Sequence, residues 1–192
     1  MSVLAFENNR SKIHPQKFAL FVACASMMMM FAGLTSAYII RQAAGNWLEF
    51  ALPRLFYVNT GVILLSSILL QGSYVAFQQE RAQLYRGLMA LGFLTGLAFL
   101  VLQYQAWQAM DFSGVRFDGN PSGSFVYVLS GVHALHLLGG MATLIVALLH
   151  AFLLPVRFTP RRKLRFELTL IFWHFVDVLW IYLLLFFILQ QP

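Results

Sequence analysis

Five apolar runs, Phe18–Ile40, Leu55–Phe77, Leu84–Trp107, Ser124–Leu154 and Leu168–Leu189, occupy most of this 192-residue chain. A helical run of about 22 residues, at 1.5 Å per residue, is about 33 Å long and crosses a hydrocarbon core of about 30 Å. The expected fold class is therefore all-α: a polytopic membrane protein, one membrane domain over 1–192, built as a bundle of five transmembrane helices. With 60% hydrophobic and only 10% charged residues the chain is no ordinary water-soluble domain. Five spans also leave no room for a separate soluble catalytic domain. The fourth run exceeds what a bilayer needs, so it is expected to tilt or project, with Pro155 as its stop. Gly119–Gly123 before it reads as a turn.

The net charge of +6 is better read as topology than as a nucleic-acid footprint, because no aromatic-basic platform or helix-turn-helix pattern accompanies it. Ten of the thirteen Lys and Arg residues fall at the N-terminus (Arg10, Lys12, Lys17), in the second loop (Arg81, Arg86) and in the fourth (Arg157, Arg161, Arg162, Lys163, Arg165). Arg41, Arg54 and Arg116 lie opposite. Cytoplasmic loops retain positive charge, which puts the N-terminus in the cytoplasm and the C-terminus outside. The first apolar stretch is long enough to span, so no cleavable signal peptide is expected. The single cysteine, Cys24, builds neither a disulfide nor a thiolate metal site and reads as a small apolar residue within a helix. Gly92 and Gly96 form a GxxxG pair suited to close helix packing. The Met27–Met30 run reads as adaptable filler on a packing surface, and Trp47, Trp107 and Trp180 as an aromatic belt.

Ionisable groups inside a span are costly and are functional candidates by default. His133, His136, His150, Glu167, His174 and Asp177 cluster in or beside the last two runs. His133 and His136 are three apart on the fourth helix; Glu167, His174 and Asp177 fall within about 80° of arc on the fifth. The two stripes are expected to face each other as one buried network, with both carboxylates neutralised by protonation or by histidine. Metal or haem ligation by His133, His136 and His174 is one use of such groups, and proton translocation through Asp177 another. The preferred reading is that they fix helix register by hydrogen bonding, joined by Asn59, Thr60, Ser66, Ser67 and Gln103–Gln105 on the second and third helices.

The fifth run carries a more specific pattern. Phe166-Glu167, followed after six residues by His174-Phe175-Val176-Asp177-Val178-Leu179-Trp180, resembles the last helix of subunit III of haem-copper cytochrome c oxidases. Gly123-Ser124-Phe125, Ser130-Gly131-Val132-His133-Ala134-Leu135-His136, the stretch Asn59–Ser67, and Phe31-Ala32-Gly33-Leu34 with Ala37-Tyr38 are similar to further elements of that family. The likeness runs from about residue 17 to the C-terminus, in the short five-helix form that lacks the first two helices of many members. Where the family usually carries a buried carboxylate, four residues before Phe31, this chain has Met27.

The resemblance implies an accessory subunit of a proton-translocating respiratory terminal oxidase in the bacterial cytoplasmic membrane, reducing oxygen to water. It implies no catalytic, metal-binding or cofactor-binding residue in this chain, with haems and copper held by partner subunits. The implied partners are catalytic subunit I, the other oxidase subunits and membrane phospholipid, with a respiratory supercomplex as a further level of assembly. Arg157, Arg161, Arg162, Lys163 and Arg165 are the candidates for lipid headgroups. The alternatives are subunit III of a quinol oxidase, a stand-alone haem- or quinone-binding membrane protein, or a small proton transporter.

Overall fold

A computed structural model describes residues 14–153 and 159–190. It contains α1 (Pro15–Ala43), α2 (Leu55–Gln78), α3 (Ala82–Phe112), α4 (Pro121–Leu153) and α5 (Pro160–Leu189), and no strand among the described residues. All five are long and apolar enough to cross a membrane. Pro155 and Arg157 lie outside the described residues.

The helices outrun the apolar segments because polar residues at their ends cap them. Thr159 adopts an extended backbone and accepts from the amide of Arg162, while Pro160 occupies the first helical position, where its missing N–H costs nothing. The basic segment Arg161–Arg165, expected as loop, is therefore the first turns of α5. At the other end of the bundle Asn120 does similar work for α4. Its Oδ1 accepts from the backbone and hydroxyl of Ser122 and from the amide of Leu48, while its Nδ2 donates to the carbonyl of Asn46. One side chain thus starts α4 and fastens the α1–α2 connection to it.

Helices α2, α3, α4 and α5 form a four-helix bundle, and α1 lies against α4 and α5, its described backbone staying away from α2 and α3. The α2–α3 contact is the most extensive. Gly92 presses on Leu70 of α2, where an added Cβ would sit 2.7 Å from the leucine side chain; the Ser66 hydroxyl donates to the Gly92 carbonyl at 2.7 Å. Gly96 is held equally close to the Trp173 ring of α5. The GxxxG pair is thus used inside the chain, which lets a tryptophan reach the bundle axis.

Two readings of the spans need correction. Trp180, expected at the membrane interface, is wholly buried: it stacks 5.9 Å from Phe56, meets Phe99 edge-on at 5.0 Å, and donates Nε1 to Thr60 at 3.0 Å. Its indole N–H finds a partner inside, which makes burial possible. Met28, Met29 and Met30, expected on a packing surface, are exposed on α1. Cys24 is buried.

Candidate functional site

On α5, Glu167, His174 and Asp177 all turn toward α2. Tyr74 Oη donates to Glu167 Oε1 at 2.7 Å, and Lys17 Nζ on α1 lies 2.6 Å from Oε2, with Lys163 Nζ 3.8 Å from Oε1. Glu167 is therefore held by two ammonium groups and a phenol, not by protonation or a histidine as expected. Further along, Ser67 on α2 stands between two α5 side chains. Its Oγ donates to Asp177 Oδ2 and lies 2.8 Å from His174 Nδ1. His174 Nε2 lies 3.3 Å from Gln71 Oε1. Asp177 is buried, and its Oδ1 has no hydrogen-bond partner among the described residues.

The α4 histidines go elsewhere. His133 is fully buried, 5.0 Å from the Trp180 ring and 6.0 Å from Phe99, and neither ring nitrogen has a partner among the described residues. His136 and His150 each place Nδ1 2.7 Å from the carbonyl one turn back in their own helix, Val132 and Val146. The His136 ring also meets Phe31 of α1 at 5.8 Å. The expected network across α4 and α5 is thus divided: no hydrogen bond joins any two of the six residues, and the carboxylates look toward α2 and α1. The reason is the α4–α5 contact itself, where Gly140 takes the edges of Trp173 and Phe172 and leaves no space for polar groups. Gln71, Tyr74 and the pairing of Lys17 are the contributors that sequence reasoning missed. Ser67, Gln71 and Tyr74 fall at i, i+4 and i+7, a polar stripe on α2 that matches the one on α5.

At the end of the bundle carrying the basic residues, a cavity of about 390 Å³ lies among α2, α3, α4 and α5. Phe77, Tyr85, Val146, Ala147, Phe166 and Leu168 form apolar walls, and Arg162, Arg165 and His150 add basic side chains. Arg161 is exposed and Lys163 half-buried outside this lining. Nearby, Arg86 donates to the Ala151 carbonyl at 2.8 Å and covers the Phe152 ring, which ties α3 to the end of α4. Apolar walls with guanidinium groups suit an amphiphile bearing an anionic head. Among the described residues no group of three or more His, Cys, Asp or Glu side chains is arranged to hold a metal ion.

These features define a multi-pass helical membrane protein in which Glu167, His174 and Asp177 join one helix to another. The family model described as cytochrome c oxidase subunit III matches residues 16–190. The chain is similar to cytochrome c oxidase subunit 3 of Corynebacterium diphtheriae, 32% identical over 165 residues, covering 80% of this chain and 78% of that protein. It is equally similar to the probable cytochrome c oxidase subunit 3 of Mycobacterium tuberculosis, 32% identical over 165 residues, with 82% and 79% covered. The chicken (Gallus gallus) cytochrome c oxidase subunit 3 is 29% identical over 126 residues, 66% of this chain and 46% of that protein. The chain belongs to the cytochrome c oxidase subunit III family, and so to an oxidase complex with other subunits.

Proposed function

We propose that this chain is the accessory subunit III of a bacterial terminal oxidase that takes electrons from cytochrome c. It packs against the haem-bearing catalytic subunit I in the cytoplasmic membrane, with its own N-terminus in the cytoplasm, and carries no redox centre. The observation that carries this reading is that the family match takes in all five helices. Cytochrome c as donor follows from the relatives, which are cytochrome c oxidase subunits. The three imidazoles considered for ligation also diverge: His133 toward Trp180, His136 toward its own backbone and Phe31, His174 toward Ser67 and Gln71.

The cavity at the basic end of the bundle supports a lipid-holding role, with an anionic phospholipid headgroup at Arg162 and Arg165 and an acyl chain along Phe77, Val146 and Phe166. Purification of the tagged chain in mild detergent tests the whole reading. A haem-bearing partner should co-elute in equimolar amount, and native mass spectrometry should find retained anionic lipid that Arg162→Ala with Arg165→Ala removes. A chain that elutes alone and colourless from oxidase-replete membranes would overturn the assignment.

A further inference from the structure

The α2–α5 polar stripe opens onto the membrane. Because the backbones of α1 and α2 stay apart, a groove runs between them with α5 as its floor, bridged at one end where Lys17 and Tyr74 both reach Glu167. His174, Val178 and Leu185 lie along that floor and Gln71 on its α2 side; Val178 is 65% exposed and Leu185 54%. Gln71 is exposed and sits about 7 Å from the midpoint of α2 at about 1.5 Å per residue, well inside a hydrocarbon layer about 15 Å thick on each side. Its carbonyl faces His174, while its amide nitrogen has no acceptor among the described residues. Ser26, also exposed, solves this problem internally by donating to a carbonyl of its own helix, and the exposed Gln105 of α3 lies about 12 Å from the midpoint of its helix at about 1.5 Å per residue, close to the interface. The open side of α1, with Met28, Met29 and Ile40, is apolar and needs only lipid.

We propose that this groove is where a transmembrane helix of the catalytic subunit docks, and that the helix brings a hydrogen-bond acceptor to Gln71. The proposal rests on the function proposed above and adds the face used. A polar amide at this depth is satisfied by another protein segment, because lipid ester and phosphate groups stay at the interface. The same contact covers the half-open His174 and closes the route from lipid to the Ser67–Asp177 pair.

A photoreactive benzoylphenylalanine placed at Gln71 or at Val178 in the full chain, in native membranes, tests the face. Adducts with the haem-bearing subunit are expected from both positions and not from Leu94 or Leu97 on the exposed side of α3. Haem-bearing adducts from α3 alone, or adducts with a second copy of this chain, would overturn the groove while leaving the subunit assignment standing. Failure of the tagged wild-type chain to bring down haem would instead remove the assignment, and this proposal with it. Gln71→Leu supplies an independent measure. It should destabilise the isolated chain by no more than His174→Phe does, through the lost Gln71–His174 contact, and raise the fraction dissociated from the complex about threefold beyond that, the effect of one interhelical hydrogen bond. An unchanged dissociated fraction would overturn the acceptor.

Discussion

The two sides of α5 hold their neighbours by opposite means. Toward α3 and α4 it presents Trp173 and Trp180, wedged against Gly96, Gly140, Phe99 and His133 in an aromatic contact that Trp180 extends to Phe56 and Thr60 at one end of α2. Toward α2 it presents Glu167, His174 and Asp177, each with a polar partner. Helices in lipid gain no hydrophobic effect by meeting one another, so close packing and hydrogen bonds must do the joining. The aromatic side fixes distance through shape, and the polar side fixes register through directional bonds. The polar side reaches the molecular surface at Gln71. A subunit built this way can be rigid within itself and still offer a specific contact to a neighbour.

The largest expected effect is on the aromatic side. Trp180→Ala removes the stacking on Phe56, the edge contact with Phe99 and the bond to Thr60. Unfolding in mixed detergent micelles should become easier by about 3 kcal/mol, the low end for such truncations, because the micelle also shelters the unfolded chain from water. Gly96→Val comes next, at about 1–3 kcal/mol, since its first carbon already meets the Trp173 ring at 2.8 Å. On the polar side, Ser67→Ala takes the hydroxyl from Asp177 and from His174 together, and should cost about 1–2 kcal/mol by the same assay. If Ser67→Ala proves harmless while Gly96→Val unfolds the chain, register is set by shape alone and the contrast between the two sides fails.

Much of this was legible beforehand. Run length gave the five helices, and helical periodicity put Glu167, His174 and Asp177 on one arc. The ends were harder to read: Thr159-Pro160 is a helix start, but the basic run behind it reads as a loop when charge is taken as the main signal. The partner of the α5 stripe was misread for a different reason. Sequence order makes α4 the neighbour of α5, and it is one, yet Gly140 hands that contact to aromatic rings. The matching stripe Ser67, Gln71, Tyr74 on α2 was present in the sequence and would have identified the polar side. The cavity depends on how the ends of four helices are placed around Phe77, Tyr85, Val146 and Phe166, which no local pattern encodes.

The smallest effect gives the sharpest test of the difference. His133 and His174 are both imidazoles in consecutive helices, but His174 has a side-chain partner at each ring nitrogen and His133 has none among the described residues. Removing a polar group that already has a partner strands that partner, whereas removing an unpartnered one strands nothing. His133→Phe fills a similar volume beside Trp180 and Phe99 with an apolar ring. It should therefore change unfolding by less than about 0.5 kcal/mol, or stabilise the chain by about 1 kcal/mol, by relieving a buried polar group of its desolvation. The corresponding His174→Phe should destabilise by about 1 kcal/mol through the loss of its Ser67 and Gln71 contacts. Equal losses in the two variants, measured side by side in the same micelles, would mean that the α4–α5 side also depends on polar pairing.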